Sequence, residues 1–197
     1  MNISNQDIEK FKEKIRQKEQ LICLTVLDPY SNEKLKFTIK NNSTYWRAKT
    51  LFTKEPGTIE WIRKFDKGCV FYDIGANIGA HTLWFANRVG ERGYVLAFEP
   101  QRLIFQTLCA NMAINSIQKV DCKHMGVGSV QKLIDSPVLD PTKPQNFGGF
   151  SLEDNREGDK VAICKIDDIG LTSCDFIKID VEGMEPDVLM GGLNTIA

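Results

Sequence analysis

From Val70 onward, hydrophobic residues come in short runs that alternate with amphipathic stretches. The apolar runs Val70–Ile74 and Tyr94–Phe98 predict buried strands, while Ala80–Val89 and Leu103–Ile114 have the hydrophobic period of helices. Residues around Val120–Met125 predict a third strand. Continuous apolar strands that alternate with helices are typical of a parallel sheet covered on both faces, so the pattern predicts an α/β fold with a doubly wound sheet.

The first 54 residues follow a different pattern. Residues 3–20 predict a charged surface helix, and the runs "LICLTVLD" and "KLKFTIK" flank a turn with proline and asparagine, which predicts a β-hairpin. Residues 57–65 predict a further helix packed on the domain. We therefore predict an N-terminal helix and hairpin extension over residues 1–54 and a main domain over residues 55–197.

The alternation fails over residues 135–159, which are rich in Pro, Gly, Asn and Asp. A loop of this length is usually functional or mobile. The motif "NFGGF" from Asn146 to Phe150 predicts a lid, with a disordered insertion as the alternative. Strands are predicted again at Val161–Ile166 and Asp175–Val181, and a helix is predicted to begin at Pro186.

Composition excludes several classes of protein. The 197 residues are 42% hydrophobic and carry a formal net charge of −1, which gives no bulk attraction for nucleic acid or an anionic membrane. The polar N-terminus does not resemble a secretory signal, and no apolar run is long enough to cross a bilayer. The six scattered cysteines predict reduced thiols, and the cytoplasm is the expected compartment.

The loop "DIGANIG" after the first buried strand predicts a ligand site. Gly75 and Gly79 allow a sharp turn and close approach of a ligand, and the next helix directs free N–H groups at the loop. A dinucleotide loop reads G-x-G-x-x-G, whereas here Asp73 precedes the first glycine. Because this acid would repel a pyrophosphate and attract a cationic ligand, the loop favours a cationic nucleoside over NAD.

Glu99 supports the same interpretation. It ends the next strand in "VLAFEP", where an acid can accept both hydroxyls of a ribose. A glycine loop preceded by an acid, followed on the next strand by an acid that can bind a ribose, fits S-adenosylmethionine. An NAD(P)-dependent oxidoreductase is the less favoured alternative.

The order and spacing of these motifs resemble the FkbM-type methyltransferases, within the class I S-adenosylmethionine-dependent fold. The matching segments, between Glu55 and Gly192, are "EPGTIEWI", "FYDIGANIGAHTL", "VLAFEP", "NFGGFSL", "KIDDI" and "IKIDVEGMEPDVLMGG". The resemblance implies a Rossmann-like sheet and methylation of a hydroxyl, often on a sugar or a secondary-metabolite scaffold. It implies these cofactor contacts: Asp73, Gly75, Ala76, Asn77, Gly79 and Glu99.

The strand "FIKIDVEG" carries the catalytic candidates. Side chains alternate along a strand, so Phe176, Lys178, Asp180 and Glu182 are predicted to share one face, and Ile177, Ile179 and Val181 are predicted to be pure core on the other. The lysine and the acids then either form a structural ion pair or line the site. Asp180 is the first candidate for the base and Glu182 the second, followed by His81 and then His124. The two acids could instead hold a divalent ion, but no third ligand stands out, so we predict no metal.

Class I methyltransferases usually have seven strands, and only four can be placed here, beginning at Val70, Tyr94, Val120 and Phe176. The sequence thus predicts a C-terminally incomplete domain whose open edge makes the chain unstable or leads it to form a homodimer. A non-catalytic, cofactor-binding fragment is the alternative function. The expected acceptor is a small molecule or saccharide. Nucleic acid is not expected, because "DVEG" stands where amino-group methyltransferases of nucleic acids commonly carry an Asn/Asp-Pro-Pro-aromatic loop.

Overall fold

The computed structural model describes residues 22–54, 56–138, 158–170 and 173–197, with the isolated positions 9 and 13. Its strands are β1 (Ile22–Leu27), β2 (Lys34–Ile39), β3 (Val70–Ile74), β4 (Tyr94–Phe98), β5 (Val120–Lys123), β6 (Met125–Val127), β7 (Lys132–Pro137), β8 (Gly158–Cys164) and β9 (Phe176–Ile179). Its helices are α1 (Asn42–Lys49), α2 (Leu51–Lys54), α3 (Pro56–Ile62), α4 (Ala80–Val89), α5 (Arg102–Ile114), α6 (Glu185–Met190) and α7 (Leu193–Ile196), with a 3₁₀ turn at Ile166–Asp168.

Four parallel strands form the central sheet in the order β5–β4–β3–β9. The chain moves outward from β3 through α4 to β4 and through α5 to β5, and then returns to place β9 on the other side of β3. The strand order therefore reverses between β3 and β9. In open α/β sheets, ligands bind at the carboxyl ends of the strands beside such a reversal.

The strands β3 and β4 form the centre of the sheet because both their faces are apolar. Phe71 and Val95 pack into a core cluster beneath α4 and α5, whereas Tyr72 and Leu96 pack into a second cluster on the opposite face. All four side chains are buried. The predicted bounds of β3, α4 and β4 are confirmed, and the doubly wound α/β class is confirmed with them.

A second sheet, in the order β6–β8–β7, corrects two predictions. The predicted strand at residues 120–125 is two strands: β5 pairs with β4, while β6 pairs in parallel with β8. Residues 135–137 and 158–159, predicted as the ends of a loop, pair antiparallel within β7 and β8. This pairing joins residues more than 20 positions apart, so a local pattern does not indicate it.

The predicted hairpin is confirmed as β1 and β2, joined in antiparallel register from Ile22–Ile39 to Leu27–Lys34. Leu35, Phe37 and Ile39 of β2 are buried in the same core cluster as α4 and α5. The hairpin thus packs directly on the central domain, while the division at residues 54 and 55 stays a prediction.

Asp28 anchors the hairpin turn on α4. It is only 2% exposed, and its carboxylate accepts hydrogen bonds from Trp84 Nε1 (3.0 Å), Ser31 Oγ (2.7 Å) and the Tyr30 backbone N–H (2.8 Å). The Trp84 ring meets Phe52 of α2 edge-on, 5.4 Å between centroids. One buried carboxylate therefore ties the turn to the core.

Replacing Asp28 with alanine is expected to lower the free energy of unfolding by about 2–4 kcal/mol. The change leaves the buried Trp84 indole N–H and the Tyr30 N–H without their acceptor, and each unsatisfied group carries a desolvation cost. Urea unfolding followed by circular dichroism measures the loss. Asp66→Ala, at an exposed aspartate without a hydrogen bond to the described residues, is the control. Equal stability of the two variants would contradict the anchoring role.

Several predictions have other outcomes. The helix predicted at 57–65 begins at Pro56 and ends at Ile62. Ile177, Ile179 and Val181, expected to be pure core, are half-buried because β9 is an edge strand of the described sheet. The N-terminal helix at residues 3–20 and the "NFGGF" lid lie outside the described residues, apart from Glu9 and Glu13. Within the described part of the chain, no helix is both long and apolar enough to cross a membrane.

Candidate active site

The glycine loop lies at the reversal between β3 and β9. Gly75 has φ of +77°, and a Cβ at this position would overlap the backbone carbonyl oxygen of Asp180. Asn77 and Gly79 also have positive φ, 53° and 81°, and Gly79 caps the N-terminus of α4. Residues with a Cβ rarely adopt such a turn. Because Gly75 has none, the backbone of the loop lies directly beside the end of β9.

Glu99 faces the same loop from the end of β4. Its Oε2 accepts from the Asn77 backbone N–H and its Oε1 from the Gln101 backbone N–H, each at 2.9 Å. Burial raises the pKa of Glu99 to about 7, although these two hydrogen bonds and the charge of Lys178 act in the opposite direction. At neutral pH this carboxyl is therefore poised between its protonated and ionised forms.

A cleft of about 680 Å³, with open solvent included, lies over these groups. We call it the first cleft. Its apolar lining comprises Ile74, Phe98, Met125, Val127, Val181 and Met184. Its polar lining includes Glu99 and Gln101, and Gln101 Oε1 is buried without a hydrogen-bond partner among the described residues. The cleft thus joins an apolar slot, suited to a purine ring, to an acid and an unused acceptor, suited to hydroxyl or amino donors.

Asp73 has a different environment. It is fully buried, and its carboxylate accepts from Thr82 Oγ1 at 2.6 Å and pairs with Lys178 Nζ at 3.1 Å. The register of β3 against β9 places Lys178 directly beside it. Because this ammonium compensates its charge, Asp73 no longer provides the attraction for a cationic ligand that the sequence argument assumed. Asp73 does not contribute to the lining of the first cleft.

A second cleft, of about 930 Å³ with open solvent included, lies between the glycine loop and α1 and α2. It shares Arg47, Gly75, Asn77 and Asp180 with the first cleft, so the two meet at the end of β9. The Asp180 side chain is half exposed, and its Oδ2 lies 3.5 Å from Lys178 Nζ. Asp180 therefore stands at the junction of the two clefts.

The other catalytic candidates lie apart from this junction. Glu182 lines the first cleft, and His81 lines the second. His124 bonds the Pro100 carbonyl oxygen at 3.0 Å and stacks on Phe105, so it is held outside both clefts. Of the candidates, only Asp180 reaches both clefts.

Of the predicted cofactor residues, Gly75, Asn77 and Glu99 line the first cleft, and Ala76 lines the second. Gln101 and Arg47 also line the first cleft and are not predicted from the sequence. Gln101 comes two residues after Glu99, the acid predicted to bind the ribose. This position next to a predicted site residue is the only signal in the sequence that could have identified it. No local signal identifies Arg47, because it comes from α1 in the predicted extension.

The sequence matches the family model described as the methyltransferase FkbM domain over residues 73–197, well over half of the chain. The chain belongs to the FkbM methyltransferase family. No protein with a curated function matches it. A solved FkbM methyltransferase from Methylobacillus flagellatus is similar at 22% identity and a TM-score of 0.50, over 67% of this chain and 31% of that one. A SAM-dependent methyltransferase from Aquifex aeolicus is similar at 16% identity and a TM-score of 0.36, over 64% and 52%.

The match to the FkbM structure supports a Rossmann-like fold, and the chain spans less than two thirds of both solved structures. Membership of the FkbM family assigns S-adenosylmethionine as the cofactor. The first cleft fits it, since Glu99 suits ribose hydroxyls and the unpartnered Gln101 Oε1 suits an amino or hydroxyl donor. In the described residues, no three His, Cys, Asp or Glu side chains are placed to share a metal ion, and metal independence stays a prediction.

Affinity for S-adenosylhomocysteine is expected to rise about tenfold between pH 6 and pH 8. With a pKa of about 7, Glu99 is mostly protonated at the lower pH and mostly ionised at the higher, and ribose hydroxyls donate best to the ionised form. Calorimetric titration across this range tests the expectation. A Glu99→Gln variant should bind more weakly and without this slope, and an unchanged slope in the variant would assign the titration to another group.

The raised pKa has an opposite effect on the ligand-free fold. The unfolded carboxyl ionises in its ordinary range near 4.5, while the folded one holds its proton until about pH 7. The folded state therefore binds more protons between these values, and the contribution of Glu99 to stability falls as the pH rises through this window. Ligand binding to the ionised carboxylate above pH 7 should restore stability that is lost across this window.

Proposed function

We propose that this FkbM-family chain transfers a methyl group from S-adenosylmethionine to a hydroxyl of a small molecule or sugar. The observation that supports the proposal is the junction of two clefts at Asp180. The first cleft fits the cofactor, and the second opens from the same junction toward α1 and α2. An acceptor in the second cleft would approach the cofactor beside this carboxylate.

Asp180 is the proposed base. Its half-exposed side chain is accessible from both clefts, and Lys178 holds one of its oxygens at 3.5 Å. Lys178 is itself fixed by Asp73 at 3.1 Å and by the Gly75 carbonyl oxygen at 3.3 Å. Lys178 is therefore a positioning residue that orients the carboxylate, and Asp180 takes the acceptor proton.

The chemistry needs alignment more than activation. The cofactor supplies a sulfonium-bound methyl group, so one O–C bond forms as one C–S bond breaks, and the acceptor proton leaves to Asp180. Both clefts are lined by Gly75, Asn77 and Asp180. The two reactants would meet along this shared surface. Holding reacting atoms in line provides most of the rate enhancement in such displacements.

Transfer from S-adenosylmethionine with an isotope-labelled methyl group tests the proposal. The chain is incubated with hydroxylated acceptors, and the product is treated with alkali and analysed by mass spectrometry and NMR. Label that survives alkali and gives the chemical shift of a methyl ether supports hydroxyl methylation. Label released as methanol would identify a carboxyl acceptor instead. A folded chain that binds S-adenosylhomocysteine but transfers no label to any hydroxyl would contradict the proposal.

A further inference from the structure

The second cleft has an excess of positive charge. Three cationic side chains line it, Arg47, Lys54 and Lys178, against one carboxylate, Asp180. The whole chain carries a formal net charge of −1, so the excess is local. A cleft lined by one sign of charge concentrates ligands of the opposite sign.

Two of the three cations are uncommitted within the described part of the chain. Lys178 is already paired with Asp73 and Asp180. Arg47 and Lys54, by contrast, form no hydrogen bond or ion pair with any described residue. They come from α1 and α2, on the wall opposite Asp180 and the glycine loop. The charge of Arg47 also acts on Glu99, where it favours the ionised carboxylate, but neither cation is held by a direct contact with a described residue, so both can bind a ligand in the cleft.

The same wall carries a flat aromatic side chain. Trp46 lines the cleft beside Arg47, and the half-buried indole meets Tyr45 edge-on, 5.3 Å between ring centroids. A sugar or other ring can pack on such a surface while its polar substituents reach neighbouring charges. The cleft is thus lined by an aromatic ring and two cations from α1 and α2. Asp180 and His81 line it from the other elements.

From this arrangement we infer that the methyl acceptor is an anion: a hydroxylated ring bearing a carboxylate or phosphate that Arg47 and Lys54 bind. The inference rests on the proposed function, because it takes the second cleft as the acceptor site. With the acid group held at α1 and α2, a hydroxyl elsewhere on the ring is presented to Asp180. The segment before β3 then selects the substrate.

Three probes with the same ring test the inference: glucose, glucuronate and glucose 6-phosphate. Each is titrated into the chain with and without saturating S-adenosylhomocysteine, and binding is followed by ligand-observed NMR. We expect both anions to bind at least about tenfold more tightly than glucose, and more weakly at high salt. A preference for only one anion identifies the acid group and still supports the inference. Equal affinities for all three, or no binding of any, would overturn it.

Charge-removing variants locate the effect. Lys54→Met should lose most of the preference for the anions, and Arg47→Met should do the same. Lys49→Met, on α1 but outside both clefts, is the matched control and should keep the preference. If Lys54→Met and Lys49→Met behave alike, the anions bind elsewhere and the inference fails. Because Lys54 lines only the second cleft, S-adenosylhomocysteine affinity should not change in its variant.

Titration with S-adenosylhomocysteine separates the two proposals. If the chain binds it but shows no preference for anions, only the acceptor inference fails. If the chain does not bind it, while the anions still bind at Lys54, the proposed function fails and the anion site remains as a finding.

Discussion

Replacing Asp180 with asparagine is expected to lower kcat for methyl transfer by about 10²–10⁴-fold, the usual contribution of a general base. The amide keeps the shape of the side chain but cannot accept the acceptor proton. Lys178 keeps its contacts with Asp73 and Gly75, so the local fold should hold. The loss should decrease at high pH, where more of the acceptor hydroxyl is ionised in solution.

The readout is steady-state methyl transfer to a hydroxylated acceptor that takes up label in the transfer experiment, with S-adenosylhomocysteine affinity measured in parallel. Glu60→Gln, an exposed acid on α3 outside both clefts, is the control for a general effect of charge. His81→Asn and Glu182→Gln test the other candidates. If one of these lowers kcat as expected for Asp180 while Asp180→Asn stays near the wild-type value, the role belongs to that residue.

Replacing Lys178 with methionine is expected to lower the free energy of unfolding by about 3–5 kcal/mol. Asp73 has no exposed surface, and Lys178 is 9% exposed, so the change leaves an uncompensated carboxylate inside the protein. The hydrogen bond from Thr82 remains but carries no opposing charge. Chemical denaturation at pH 7 gives the change in stability directly.

A second substitution shows whether charge is the cause. Adding Asp73→Asn to Lys178→Met removes the unpaired charge, and the double variant should be more stable than Lys178→Met alone. Lys123→Met is the matched control on β5: its pair with Asp121 spans 2.6 Å but lies at the surface, so its loss should cost about 0–1 kcal/mol. If both lysine variants lose equal stability, burial of the Asp73 pair is not the source of the effect.

Much of the central sheet could be predicted from the sequence because its signals are local. Five consecutive apolar or buried residues form β3, and the glycines Gly79 and Gly90 cap the two ends of α4. The strands β6 and β7 lack such signals. Leu133 in β7 is 72% exposed, and this strand is defined by its pairing with β8, not by burial.

The sequence predicts the site residues that belong to a local motif. It does not predict contacts between side chains that are distant in the sequence. Gly75 and Glu99 follow from their positions at strand ends. The partner of Asp73 does not: the sequence paired Lys178 with Asp180, two residues away, whereas its closer contact is Asp73, 105 residues earlier. The second cleft depends on Arg47 and Lys54, whose proximity to the glycine loop only the tertiary structure reveals.

The contacts between β2 and α5 impose an order on folding during synthesis. The outward backbone groups of β2 bond to the side chains of Asn111 in α5 and of Asn115, which caps the C-terminus of α5. Lys36 N and O bond to Asn115, and Thr38 N bonds to Asn111. Until residue 115 has left the ribosome, these groups lack their asparagine partners, and the nascent hairpin presents an open strand edge. Translation of the segment from β2 to α5 is therefore the interval in which chaperones or another nascent chain would compete for this edge, and α5 ends that interval when it docks.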